Sequence, residues 1–348
     1  MPTSARLVLC LGLLCSLALA APARAGCPNA PLQFARAAFS GNSDAVEHVT
    51  IRARSGAHDT FIRFSMTNAV FKRGELFIAF RQETAGGTLY GEQAFARGDY
   101  TVATDKLGIR AGKHSLEVAN GQLVAAFDFG TLQASVALTS HAGGLQVADR
   151  SNGMVLRELL VPTGRLLVKA RNTAGLTADV SAAAFAMHDA STAPPHQIYD
   201  RAVQLHHPVA GGFLLVDYVV LTAARGGKPL GWMVATAGGK TFVGEVVREA
   251  RSDERVDSRN SYAVPYQVAV LGKRGEARAA VKLTADKQVA REDDLADMNY
   301  VLRKAVGALM HPVTYTLKAK ADVEIQPVPA EPALVSNTSI RFKYSQVR

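Results

Sequence analysis

His114-Ser115-Leu116-Glu117-Val118-Ala119-Asn120-Gly121-Gln122-Leu123-Val124-Ala125-Ala126-Phe127-Asp128 sets the fold class. Leu116 and Val118 alternate with polar residues before Asn120-Gly121, and Leu123, Ala125 and Phe127 alternate after it. A period of two predicts strands, and Asn-Gly between two such runs predicts the tight turn of a hairpin. The same pattern recurs outward in both directions. Candidate strands cover 46–54, 60–68, 75–81, 89–95 and 132–138. Beyond Pro162 they cover 165–169, 177–187, 202–206, 213–221, 232–236, 241–248, 266–271, 279–283, 314–318 and 339–344. Glycine pairs at 211–212, 226–227 and 238–239 separate the later ones, which suggests meander barrels or sandwiches. In Thr60–Met66 the alternation puts Phe61 and Arg63 on one face and Ile62 and Phe64 on the other, so this strand is expected to be covered on both sides.

One stretch departs from this pattern. Over 294–310, Leu295, Met298, Leu302, Ala305, Val306 and Leu309 trace one face of a helix, with Asp293 or Asp294 as its cap and Pro312 as its stop. Such a helix is expected to pack on a barrel wall. Pro327, Pro329 and Pro332 make 326–348 a tail with at most an edge strand.

At the start, Arg6 precedes an apolar run over 7–20, and Ala23-Arg24-Ala25 offers small residues for cleavage. Residues 1–25 are therefore expected to be a secretory leader, and the protein to be exported to a periplasm or the outside. Cys10 and Cys15 would leave with it, so Cys27 would have no internal disulfide partner. A lipid anchor on Cys27 is disfavoured by Arg24, which stands where an apolar residue is wanted. What remains suits two domains of about 150 residues each, with a boundary near Pro162: 26–162 and 163–325. The net charge of +9 is spread among acids, and no basic run interleaves with aromatics, so nucleic acid is not expected as a partner. A basic surface, with the charged stretch 248–259 in particular, could meet anionic membrane head groups; a solvated hairpin or loop is the simpler explanation.

Several loose motifs now align with a known family. Asp59–Phe64, Asp105–Ile109 with His114–Val118, Met187-His188-Asp189 with Ala193-Pro194-Pro195-His196 and Tyr199-Asp200-Arg201, and Asp294–Ala305 with His311–Tyr315 carry the match. Together they resemble the oxidative-stress survival-factor proteins, which share a superfamily with AttH-like proteins and carotenoid 1,2-hydratases. The resemblance implies an all-β fold of two tandem lipocalin-like β-barrels with a C-terminal amphipathic helix, and raises a link to stress survival. Fungal members carry no leader, so their cellular role need not transfer. The Pro-His turn here is followed by Gln197 where a second histidine is usual.

The candidate site is sparse. His188-Asp189 sets imidazole beside carboxylate, as acid–base work needs, although such a pair can equally lock a barrel mouth. His196, Tyr199, Tyr218 and Trp232 are further candidates for lining a ligand site, with Trp232 either facing a cavity or plugging a barrel end. His206 and His207, adjacent on a strand, point to opposite faces and make a poor metal pair. No metal or cofactor is expected. There is no G-x-S-x-G elbow, and Gly238-Gly239-Lys240-Thr241 lacks the leading glycine of a P-loop. The expected function is non-catalytic binding of a hydrophobic or amphipathic small molecule, a lipid above all, inside an eight-stranded lumen. The alternatives are a hydratase or isomerase acting on an unsaturated lipid, with His188 or Asp189 moving the proton, and an interaction module.

Overall fold

The computed structural model describes residues 45–55, 58–68, 74–103, 107–151, 154–193, 195–210, 212–293, 311–327 and 331–347. The expected leader, Cys27 and the expected helix at 294–310 lie outside the described residues.

Asn120 and Gly121 take φ of 50° and 72°, and Ala119 pairs with Gln122, so the two-residue turn forms where Asn-Gly places it. It joins β7 (His114–Ala119) to β8 (Gln122–Asp128) within the first barrel. Before this hairpin come β1 (Val46–Ser55), β2 (His58–Thr67), β3 (Glu75–Thr84), β4 (Gly87–Phe95), β5 (Tyr100–Val102) and β6 (Gly108–Ala111). After it come β9 (Leu132–Ser140), β10 (Leu145–Asp149), β11 (Val155–Asn172) and β12 (Thr177–Ser191). The sheet runs β4-β3-β2-β1-β12-β11-β9-β8-β7-β6-β5, with β10 paired to β11. Its end strands β4 and β5 share no ladder. Side chains bridge part of that seam: Gln93 Oε1 lies 3.0 Å from His114 Nε2, and the His114 ring sits 5.6 Å from Phe95 and 4.6 Å from Phe129.

A short helix, α1 (Pro195–Ile198), leads to the second barrel. That barrel comprises β13 (Tyr199–Val209), β14 (Gly212–Leu221), β15 (Pro229–Ala237), β16 (Lys240–Asp257), β17 (Tyr262–Arg274), β18 (Ala277–Asp293), β19 (Val313–Gln326) and β20 (Leu334–Gln346). All eight close in sequence order, with β20 pairing back to β13. The fold is all-β with two lipocalin-like barrels in tandem.

Two expected boundaries move. The first sheet ends at Ser191, and Pro162 lies inside β11. Proline lacks the N–H a ladder needs, so the register with β12 shifts between Leu159 and Gly164 and then resumes. Pro162 therefore marks a bulge, not the join between barrels. The tail is likewise more than an edge: β20 pairs with β19 over its length and with β13 at one end, which closes the second barrel. The charged stretch 248–259 extends β16 and enters the turn to β17, in which Asp257 pairs with Tyr262.

Both interiors are packed side-chain clusters. Ile62, Phe64, Leu76 and Phe80 are buried in the first, and Tyr218, Tyr315, Phe342 and Tyr344 in the second. A third cluster joins the barrels. Leu159, Phe185 and Met187 of the first meet Phe213, Trp232 and Val243 of the second. In β12 the alternation serves both: Ala182, Ala184 and Ala186 face the first interior while Phe185 and Met187 face the partner barrel.

Gly231 permits the closest approach in this wall. A Cβ there would fall 2.2 Å from the Asp217 carbonyl oxygen and 2.4 Å from Tyr218 Cα, both backbone atoms. Gly231→Ala is expected to cost about 2–3 kcal/mol, read as a lower urea midpoint at unchanged m-value.

Candidate functional site

Antiparallel register assembles the site on the outer face of the first barrel. His48 of β1 stands opposite Asp189 of β12, and Asp189 stands opposite Arg157 of β11. Directly opposed residues share a face, so His48, Asp189 and Arg157 form one row. Arg63 of β2 joins it, two residues along from Ser65, the partner of His48.

Arg157 is the centre. Its Nε donates to Asp189 Oδ1 at 3.0 Å, and its Nη2 donates across to Asp217 Oδ1 of the second barrel at 2.5 Å. Asp217 is fully buried and also meets His206 Nε2 at 3.1 Å and Gln204 Nε2 at 3.4 Å. His48 Nε2 lies 3.5 Å from Asp189 Oδ2. Burial opposes charge on both carboxylates, yet the Arg157 guanidinium holds each below the usual carboxylate range, helped by His48 at Asp189 and His206 at Asp217. Burial pulls Arg63 down, with Asp189 opposing.

A cleft between the barrels opens onto this row. One part, of about 330 Å³, has apolar walls at Val46, Val155, Ile198 and Val219, with Tyr199 beside them. An adjoining part, of about 320 Å³, reaches Phe61, Met187, His206 and Phe342. Both are lined by His48, Arg63, Asp189 and Gln204.

His188 and Asp189 do not act as a pair, because neighbours on a strand face opposite sides. Asp189 lines the cleft, whereas His188 is fully buried on the inner side. There His188 Nε2 meets Glu47 Oε1 at 2.7 Å and Nδ1 meets Glu158 Oε2 at 3.2 Å. Burial disfavours the imidazolium, but hydrogen bonds and charge from Glu158 and Glu47 outweigh it and push His188 up to about 9. Burial raises Glu47, with His188 opposing.

Tyr199 lines the cleft; Tyr218 points into the packed second interior, its phenol raised well above 10 by burial and then by the Glu249 carboxylate. Trp232 neither plugs a barrel end nor faces a lumen: it is buried between the barrels, its ring stacked at 6.4 Å on His206. His196 is partly exposed on α1. His206 and His207 do diverge, toward Asp217 and toward Thr338 at 3.5 Å. Among the described residues no group of three or more His, Cys, Asp or Glu could hold a metal, and no helix is long and apolar enough to cross a membrane.

His48, Arg63, Arg157 and Asp217 were not singled out by sequence. Asp217 carries the most legible signal, a lone acid in the apolar run Phe213–Leu221, since a buried carboxylate demands a partner. Nothing short of the register shows that the partner is Arg157.

No family model and no curated protein matches the sequence. Solved structures do match. CghA aligns over 94% of this chain and 93% of its own at 13% identity, with a TM-score of 0.52. CghA with Sch210972 aligns over 87% and 88% at 11% identity, also at 0.52. A proposed AttH from Nitrosomonas europaea aligns over 92% and 97% at 11% identity and 0.47. At these identities the likeness is one of fold, and it agrees with the two tandem lipocalin-like barrels described above. Among these structures, CghA is one to which this chain is similar along nearly its whole length.

Arg157→Met strands the buried Asp217 and the partly buried Asp189 and is expected to cost about 3–5 kcal/mol, read by thermal and urea unfolding at pH 7. Because the folded Asp189 and Asp217 titrate below their unfolded values, their contribution is complete above about pH 4–5 and drains away as pH falls through the folded values. His188 has the opposite sign. Held above its ordinary 6.5, it contributes fully below that value and loses its contribution as pH rises through about 9. His188→Gln is expected to flatten the alkaline fall in melting temperature between pH 6.5 and 9.5.

Proposed function

We propose that the inter-barrel cleft is a small-molecule site and that the protein is an acid–base enzyme of hydratase or isomerase type, acting on an unsaturated, largely apolar substrate. The observation that carries this is the Arg157–Asp189–His48 row beside an apolar wall. Imidazole is the side chain that exchanges a proton near neutrality. With Nε2 of His48 turned toward Asp189, its Nδ1, a buried atom, has no hydrogen-bond partner among the described residues and is left to take or give a proton. Asp189, kept ionised by Arg157, orients the ring and balances the imidazolium, a part that suits an anchored carboxylate better than proton transfer does.

In isomerisation, Nδ1 would remove a proton from one carbon of an allylic system and return it to another. In hydration, the protonated ring would give its proton to one alkene carbon while water bonds to the other, and the proton shed by that water would restore the ring. A CghA structure with Sch210972 supports the general idea that this fold takes a small molecule. Carriage inside a lumen is the weaker reading, because both interiors are filled with packed side chains. A lipid-derived substrate and an exported protein are parts of the same proposal, resting on the apolar wall and on the apolar run near the start of the chain.

The test is proton exchange. A panel of unsaturated carbonyl compounds incubated in D2O is expected to gain deuterium or water in the presence of the protein, and His48→Gln to slow this roughly 100-fold or more. Absence of turnover across the panel, or equal rates for His48→Gln, would return the cleft to simple binding.

A further inference from the structure

We propose that the cleft holds a carboxylate group of its ligand, anchored by Arg63 and Arg157 with His48 beside them. This deepens the reading of the cleft as a small-molecule site and rests on it.

Three nitrogens in the cleft walls have no hydrogen-bond partner among the described residues: Arg157 Nη1, Arg63 Nε and His48 Nδ1. They come from three strands, β11, β2 and β1, yet belong to one sheet face, and all three residues line the same part of the cleft. The Arg157 side chain is 8% exposed, so water reaches it poorly. A buried N–H without an acceptor is costly and uncommon in a native protein. Two cationic nitrogens of this kind in one cleft, next to a ring nitrogen that becomes a donor when protonated, leave room for an acceptor that the protein does not supply.

The charge balance points the same way. Asp189 is taken by Arg157 and His48, and Asp217 by Arg157, His206 and Gln204. Among the described residues Arg63 Nε has no hydrogen-bond partner, and Arg63 feels Asp189 only through its charge. Arg52 and Arg341 add positive charge at the rim. A guanidinium pairs best with a flat, two-oxygen acceptor, which a carboxylate is and a hydroxyl is not. The apolar wall of Val46, Val155, Ile198 and Val219 lies across the same cleft and would receive a hydrocarbon part. About 330 Å³ suits a ligand of roughly a dozen non-hydrogen atoms. The ligand class is therefore a medium-chain or compact apolar carboxylic acid bound as its anion. Placing its carboxylate here sets the carbons next to it close to His48, where proton transfer would be useful.

The experiment compares decanoate with decan-1-ol, equal in chain length, by calorimetric titration of the full chain at pH 7.5. Decanoate is expected to bind at least about tenfold more tightly. Arg63→Met, which removes a cation whose Nε has no hydrogen-bond partner among the described residues, should abolish that preference without lowering the melting temperature, and Arg63→Lys should keep part of it. Arg157 is left intact because its loss would loosen the barrels. Equal affinities for acid and alcohol, or an undiminished preference in Arg63→Met, would overturn the carboxylate site while leaving the cleft as a ligand site. Failure of both compounds to bind, with no shift in melting temperature at millimolar concentration, would overturn the carboxylate site together with the reading of the cleft beneath it.

Discussion

Arg157 joins the two halves of the molecule with one planar group. Its fork reaches Asp189 within its own barrel and Asp217 in the other, and Arg157 and Asp217 are almost wholly removed from water while Asp189 borders the cleft. Apolar contacts between the barrels can slide, but a buried arginine with two carboxylate partners tolerates few positions. A second pair repeats the device: Arg225 Nη1 meets Asp149 Oδ2 at 2.7 Å while its Nε donates to the Gln197 carbonyl at 3.0 Å. Between them lie the apolar residues around Trp232 and those around Ile198. The orientation of the barrels, and so the shape of the cleft, depends on these ionic contacts.

The elements were largely legible because each states its period locally. Asn120-Gly121 fixes its hairpin without outside help, and Thr60–Met66 shows by two-faced apolarity that something covers both sides. Pro162 was misleading because a residue that breaks a ladder looks the same at a domain boundary and at a bulge. Residues 334–346 look like an edge because what makes them an inner strand, β13, lies far back in the chain. The site was legible only in part. Asp189 could be picked out beside His188, but adjacency in sequence is the wrong kind of nearness in a sheet. The residues that share a face with Asp189 are His48 and Arg157, far from it along the chain.

The two faces of β12 also divide stability from chemistry. Inside, Glu47, His188 and Glu158 form a buried set with almost no exposure. Outside, one residue further on, Asp189 belongs to an open set with unused nitrogens. The strand therefore carries two ionic groups of unlike purpose back to back.

Barrel closure has a consequence for how the chain acquires this shape. β1 pairs with β12, and β13 pairs with β20, so each barrel joins its first strand to its last, although the first sheet has no ladder between its end strands β4 and β5. Neither seam can form until the whole of that barrel's sequence is present, and contacts between such distant segments are slow to find. A chain held open before its last strand appears would keep β1 as an unpaired edge rich in Val and Ile, a surface that invites pairing with other chains. His48 on that strand, with Asp189 and Arg157 as its future neighbours, acquires its surroundings only at the final step, so the candidate site exists solely in molecules that have finished folding.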